Sequence, residues 1–417
     1  MMLPEAILAR KLQGTCAARI LLASSAACVV FAACTETEAN RPQSRQVRDS
    51  VGIRIVEYES MPDGLESWSV QSVPARVIGA IEGEGAEVFG RIDGVAVLST
   101  GAIVVADGLN SELRAFDHSG RHLWTAGRRG QGPGEFASLV GAFAMVGDSV
   151  LAVSSGRTAS VFNAEGTFVR QFRLDAPPAG YPGGPTVRGA TTQGLVASAF
   201  PLPPSESGYY RVNFIVVFLN YAGARMSHSD PMPWGEGILA MHEGGAYSSR
   251  LAPLARSAQV SISPTTAAVT TQDRFEILLF DAGGTVRTLI RVHAAPTPVD
   301  DPLRERYLRH IREETADSEG AALSDRLYPR SVFPESLPAL GRIHIDAENR
   351  LWIEEYVPPY EDRLPAWWVL DASGSFVAKV AVPRLETIYH IDSRHAVAVT
   401  SDSLGVRYVQ IHTITRG

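Results

Sequence analysis

The feature that most constrains this chain is a pattern written twice between Gly79 and Leu174. The first copy, GEGAEVFGRIDGVAVLSTGAIVVADGLNSELRAFDHSG, starts at Gly83, and the second, GQGPGEFASLVGAFAMVGDSVLAVSSGRTASVFNAEG, starts at Gly130. Phe89 and Phe136 are 47 residues apart, and Phe116 and Phe162 are 46 apart. A period in this range marks a repeat architecture. Within each copy the apolar residues form short β-branched runs, such as Ile103-Val104-Val105 and Val150-Leu151-Ala152-Val153, broken by Gly, Asn, Asp and Ser. The repeating unit is therefore all-β.

A hairpin signature extends the count along the chain. An apolar residue, then Asp or Asn, then Gly three positions later, occurs as Phe116-Asp117…Gly120, Phe162-Asn163…Gly166, Leu219-Asn220…Gly223, Phe280-Asp281…Gly284 and Leu370-Asp371…Gly374. The Asx side chain bonds the backbone ahead of it, and Gly supplies the positive φ that closes the turn. An alternating strand follows each turn and further strands precede it, giving four antiparallel strands per unit, the make-up of a propeller blade. The expected fold is all-β: a six-bladed β-propeller over 51–417, with blades at about 80–128, 129–174, 182–229, 255–294, 337–383 and 384–416 plus 52–79.

The sixth blade has to be assembled from both ends of the chain. Gly52 to Tyr58 and Ser72 to Gly79 are expected to pair with the C-terminal strands. Val77-Ile78-Gly79 aligns with Trp124 to Gly127 near the same 47-residue offset, which gives Ser72 to Gly79 an outer-strand role. Closure would leave no long exposed sheet edge. Asp230 to Ala255, rich in Gly, Pro and Met without periodicity, reads as a long loop. Asp301-Pro302-Leu303 opens a helical insertion, 300–327, with Asp at the cap and Leu303, Tyr307, Leu308 and Ile311 on one stripe, expected to pack over one mouth of the ring.

The N-terminus reads as a targeting segment. Arg10, Lys11 and Arg19 precede the apolar run Ile20 to Ala33, the right length for a signal-peptide core and short for a membrane span. Its end, Phe31-Ala32-Ala33-Cys34, resembles a bacterial lipobox, which implies cleavage after residue 33 and lipidation of Cys34. Thr35 after the Cys resembles the signal for the outer membrane rather than the inner one. All three cysteines (Cys16, Cys28, Cys34) lie here, so the folded part has no disulfide, thiolate nucleophile or Cys-ligated metal. Residues 34–50 read as a flexible tether.

The lead-in GRRGQGPGEF from Gly127, the strand ending VVAD at Asp107 and the F-D-x-x-G turns resemble NHL-type repeats. Together with Arg274-Phe275-Glu276-Ile277 and the segment Asn349 to Tyr356, they make the whole of Val51 to Gly417 similar to bacterial six-bladed propeller lipoproteins and exported proteins of uncharacterised role. The third unit departs from the pattern, lacking the glycine-rich lead-in near Gly180 to Thr186. The resemblance implies the fold and leaves the function open.

Composition excludes some partners. The chain has 417 residues, 45% of them apolar and 20% charged, with a net charge of −7 and no basic block, which argues against nucleic acid. Gly130-Gln131-Gly132-Pro133-Gly134 lacks the Lys-Ser/Thr and the helix of a phosphate cradle and reads as a turn between blades. There is no G-x-S-x-G elbow. His118 and His122 flank a turn, where their spacing does not place them on one helical face. No cofactor and no resident metal is expected, and the chain reads as a monomer.

Propeller geometry directs attention to the channel mouth. Loops between blades and loops between the second and third strands of a blade emerge on one face, and there they hold Arg91, Asp107, Arg129, Gln131, Arg157, Arg274, Arg330 and Glu355. This arginine-rich set suits bidentate binding of a polar or anionic ligand, and a salt-bridged rim is the competing reading. The expected function is a binding or scaffold module for such a ligand or for a protein partner, held to a membrane by Cys34. The alternative is a metal-dependent hydrolase or lyase of lactonase type, which would need ligands converging in the channel; His344 and Asp346, alternating on one strand, come nearest to a pair.

Overall fold

The computed structural model describes residues 45–83, 85–155, 157–241, 247–314 and 332–417; Cys34 and Arg330 fall outside them. Among the described residues the chain is all-β with one helix. Its sheets are built from antiparallel four-strand meanders. The first runs Ile92–Val97, Ile103–Asp107, Glu112–Phe116, His122–Ala126, and the second Leu139–Met145, Ser149–Ser154, Thr158–Phe162, Phe168–Arg173. Later meanders start at Thr186–Thr191, Gln259–Ile262, Ile343–Ile345 and Thr387–Ile391. The first strand of each meander touches the first strand of the next, and the strand Thr387–Ile391 touches Ile92–Val97. The innermost strands thus form a closed ring, and the fold is propeller-like.

The repeat seen in the sequence has a direct structural counterpart. Phe89 packs on Phe116 with ring centroids 5.9 Å apart, and Phe136 packs on Phe162 at 5.8 Å. Each repeat therefore buries its lead-in phenylalanine against the phenylalanine of its own hairpin signature. The five signatures are all tight turns with Gly at positive φ. Asp117 Oδ1 accepts from the N–H groups of Ser119 and Arg121, and Asn163, Asn220, Asp281 and Asp371 repeat the arrangement.

These turns also join neighbouring meanders. Trp124 Nε1 donates to Ala164 O at 2.8 Å, Asp175 N to Gly223 O at 2.8 Å, Ser227 Oγ to Gly283 O at 3.1 Å and Tyr58 Oη to Gly374 O at 2.9 Å. In each pair a turn carbonyl accepts from the meander before it. The turn glycine is sterically required as well as conformationally: a Cβ on Gly166 (φ +79°) would lie 2.5 Å from the Trp124 ring.

The N-terminal strands close the structure differently from expectation. Ile53–Tyr58 does not join the C-terminal strands but runs parallel to Val286–Val292, from Arg54 opposite Thr288 to Tyr58 opposite Val292. The reason is burial: Val56 and Tyr58 pack in one core cluster with Ile277, Ile290 and Val292. Glu57 is held by Arg48 and Arg291, whose charges and hydrogen bonds outweigh burial and lower its pKa. The supposed tether ends early, because Arg45–Ser50 is a strand paired antiparallel to Ile53–Tyr58. Ser72 to Gly79 behaves as expected, with Arg76–Ile78 pairing to Val409, Gln410 and Ile411. Between them Glu66–Val70 runs parallel to Phe376–Ala381 and antiparallel to the end of Arg407–Arg416, stitching two meanders into one nine-stranded sheet.

The stretch Asp230 to Ala255 is not a loop. The 12-residue strand Gly208–Leu219 outruns its meander, and its projecting end pairs with Met232–Met241, which in turn pairs with Tyr247–Leu251. Trp234 drives this, packing on Phe200 and Phe214 at 4.8 and 4.9 Å. The helix Asp301–Glu314 covers the start of the expected 300–327 insertion, of which 315–327 lie outside the described residues, and Asp300 is the cap, its Oδ1 accepting from Leu303 N at 2.9 Å. Leu303 packs with Leu254, Val299, Val332 and Phe333, with Ile238 of the projecting hairpin and Tyr360 alongside.

The inner ring is packed backbone to backbone. A Cβ on Gly94 would lie 2.7 Å from Ala142 N in the next inner strand, and one on Gly189 would lie 2.7 Å from Ile262 Cβ. At Gly94 the obstacle is main chain and cannot rotate away. Gly94→Ala is expected to lower stability by roughly 1–3 kcal/mol, measured as a shift of the denaturant midpoint with unchanged slope; a wild-type midpoint would count against the close approach.

Candidate functional site

The inner strands enclose a cavity of about 790 Å³. This is within the range of small-molecule sites. Residues from every meander line it, among them Asp93, Phe143, Arg188, Gln259, His344 and Tyr389. Apolar side chains such as Val97, Met145, Val260 and Ile262 make up much of the wall.

Backbone irregularities aim several of these side chains. The ladder slips by one residue between Ile92 and Gly94, between Val187 and Gly189 and between Ile388 and His390, leaving Asp93, Arg188 and Tyr389 as bulged residues. The second meander repeats this: Leu139 and Gly141 oppose Ser154 and Val153, so Val140 is the extra residue. A bulge inserts one residue, bends the strand and re-aims a side chain. Four of the inner strands therefore depart from strict alternation near their starts.

The charges at this level are not equivalent. Asp93 is bound by Arg91, whose Nε and Nη2 reach it at 2.7 to 2.9 Å. Arg342 is committed to Glu354 and to the carbonyls of Leu385 and Glu386. Arg188 has no carboxylate partner among the described residues. Its Nε donates to Ser198 Oγ at 3.1 Å and its guanidinium lies over the Trp234 ring, 5.4 Å from the centroid. Burial lowers its pKa without counter-charge to restore it, yet an arginine remains charged.

His344 occupies the middle of Ile343–Ile345, where its two neighbours turn into the core and it faces the cavity. Its remaining exposure is to the cavity, with protein packed around it. Burial first, then the charges of His390 and Arg342, lower its pKa to about 3. Asp346 is not its partner. It lies past the strand end and is buried, accepting from Trp352 Nε1 at 2.9 Å, Arg350 Nε at 2.7 Å and two turn N–H groups. Among the described residues no group of three or more His, Cys, Asp or Glu is arranged to hold a metal ion. His122 packs on Phe116 instead of pairing with His118.

Of the rim residues singled out from the sequence, Arg91, Arg129, Gln131, Arg157, Arg274 and Glu355 lie between strands and Asp107 ends one; none of these lines the cavity. Asp107 is fully buried at its strand end, and its carboxylate accepts from Gly90 N, Arg91 N, Asn110 N and Asn110 Nδ2. Glu355 is bound bidentately by Arg363 at 2.8 and 2.9 Å and accepts from Ala366 N. Arg157, at φ +71°, donates to Leu174 O, and Arg129 to Leu109 O at 3.4 Å. Gln131 and Arg274 are exposed, and Arg330 is outside the described residues. The Gly130–Gly134 turn closes on its own Glu135, which accepts from Gly132 N and Arg128 Nε. The bulged residues were missed although a signal existed: Asp93, Val140 and Arg188 each precede a glycine, and those glycines (94, 141, 189) recur at the blade period.

No family model and no curated protein matches the chain. Among solved structures, an exported-protein candidate from Bacteroides fragilis aligns over 87% of this chain and 99% of its own, at 12% identity and a TM-score of 0.46. BamB from Moraxella catarrhalis aligns over 88% and 96%, at 10% identity and 0.33. Streptogramin B lyase aligns over 82% and 97%, at 10% identity and 0.33.

The depressed pKa of His344 has a signed consequence. Between about pH 6.5 and about 3 the unfolded chain binds a proton that the folded protein refuses, so stability declines as pH falls through that window. By one unit below the ordinary value the difference is roughly 1 kcal/mol. His344→Gln is expected to flatten the acid limb of stability against pH, followed by denaturant unfolding from about pH 7 to about pH 4; an unchanged slope would mean that His344 titrates normally.

Proposed function

We propose that this chain is an exported six-bladed β-propeller, anchored to an envelope membrane by a lipid on Cys34, that works by holding a small polar or anionic molecule in its axial cavity. The observation that carries the reading is the cavity itself: about 790 Å³, lined from the inner strand of every meander and partly apolar, with a few convergent polar groups. Six meanders in a closed ring, the last completed by Arg76–Ile78, support the blade count. At the rim Arg91, Arg128 and Arg363 are engaged by Asp93, Glu135 and Glu355, whereas Arg129, Arg157 and Arg274 have no carboxylate partner among the described residues and none of them lines the cavity. Exposed pairs of this kind contribute little and offer few free donors.

Two experiments test the two halves. His390→Trp adds ring volume to the cavity wall without touching the rim. Native mass spectrometry of protein from its own envelope is expected to find a small molecule that this variant lacks; a partner protein retained equally by both forms, with no small molecule, would sink the cavity reading. Cys34→Ser is expected to move the protein from the membrane to the soluble envelope fraction on cell fractionation, and retention at the membrane would remove the lipid anchor from the proposal.

A further inference from the structure

We propose that two of the bulged residues of the inner ring form an anion site in which Arg188 binds the carboxylate of a small organic acid and the Tyr389 hydroxyl contacts its far end. This rests on the cavity reading above and adds the ligand class and the residues that select it.

The argument begins with an imbalance. Most arginines on and around the inner ring are neutralised where they stand: Arg91 by Asp93, Arg342 by Glu354, Arg256 by Glu236. Of the two arginines lining the cavity, Arg342 is paired in this way and Arg188 has no carboxylate partner among the described residues. Its guanidinium has five N–H donors in a rigid fork. Only Nε is engaged, leaving both terminal nitrogens without a protein acceptor among the described residues. An unpaired charge held partly out of water is costly. Chains retain such a group where a counter-ion arrives from outside.

The group is also held in place. It is the extra residue of a bulge, so its direction is set by the backbone. Gly189 beside it permits the next inner strand to approach until a Cβ would touch Ile262. Trp234 covers one face of the guanidinium and Ser198 fixes Nε. Stacking and one hydrogen bond leave the edge of the fork free, the edge that pairs bidentately with a carboxylate.

Tyr389 is the bulged residue three meanders further round the ring, and it lines the same cavity. Its hydroxyl has no hydrogen-bond partner among the described residues, and burial raises its pKa, so it stays protonated and can donate. The wall between the two is largely apolar, with Val97, Met145, Val260 and Ile262. A ligand fitting this arrangement carries an oxyanion at one end, an apolar body and an acceptor at the other. A carboxylic acid matches better than inorganic phosphate, which lacks the body.

The probes are benzoate, 4-hydroxybenzoate, the uncharged benzamide and inorganic phosphate, measured by isothermal titration against the folded domain. Wild-type protein is expected to bind the two acids and to bind benzamide at least tenfold more weakly than benzoate. Arg188→Gln is expected to weaken the acids at least tenfold and Arg188→Lys to restore part of the loss, with melting temperature and circular dichroism checking the fold of each. Tyr389→Phe is expected to weaken 4-hydroxybenzoate more than benzoate, and Arg274→Gln on the rim to change neither. Equal binding of benzamide and benzoate, tighter binding of phosphate than of either acid, or no binding of either acid overturns the proposal. So does an Arg188→Gln variant that binds within twofold of wild type. If His390→Trp abolishes acid binding while Arg188→Gln leaves it intact, the cavity reading stands and the Arg188 assignment falls. If Arg188→Gln abolishes it while His390→Trp leaves it intact, Arg188 binds the acid but the cavity reading falls.

Discussion

Everything else in this structure depends on how closely the inner strands can approach one another. Where Gly94 faces the main chain at Ala142, and Gly189 faces the Ile262 side chain, the absence of a Cβ lets neighbouring meanders come this close. Further out, the space between sheets is filled by larger groups, Phe136 and Phe162 in one cluster, Trp352 and Trp367 in another. Small residues inside and large ones outside make wedge-shaped layers, and wedges laid side by side must curve. Closure follows from that taper, and it leaves the inner strands lining a cavity instead of filling it.

Much of this was legible from the residues alone. The 47-residue spacing of Phe89 and Phe136 identified the unit, because each unit needs one aromatic against its own hairpin. The Asx-to-Gly turns were legible because the chemistry is local, closing within five residues. What escaped was non-local or masked. Ile53–Tyr58 pairs with a strand more than two hundred residues away, and its burial pattern suits several partners equally until the cluster around Ile277 and Ile290 is known. The hairpin in 232–251 escaped because Gly235 and Gly237 interrupt its alternation, while the fact that fixes it, Trp234 on Phe200 and Phe214, joins separate stretches of chain.

The site escaped for a third reason. Reading a strand by alternation assumes a ladder without slips, and four inner strands slip near their starts. A one-residue slip exchanges the faces of a strand, so Arg188 in Thr186–Thr191 reads as an ordinary outward polar residue between Val187 and Gly189. The loop arginines, by contrast, are numerous and conspicuous. The glycines after Asp93, Val140 and Arg188 held the correction, since a glycine inside a strand marks a bulge or a close backbone approach. Here it marks both at Gly94, and at Gly189 a bulge set against the Ile262 side chain.

On the proposed reading, the distribution of charge places selectivity inside the ring. At the rim, Arg91, Arg128 and Arg363 each lie within hydrogen-bonding distance of a carboxylate, so their fields cancel over a few ångströms and salt screens the remainder. The chain as a whole carries −7 and repels anions at long range. An anion reaching the cavity mouth meets little net attraction until it is within reach of Arg188. There the low-dielectric walls strengthen the interaction that the rim lacks. A polar rim that discriminates weakly, around an oriented arginine without a carboxylate partner that discriminates strongly, would admit many solutes and retain those that combine an oxyanion with enough apolar surface to displace water from Val97, Val260 and Ile262.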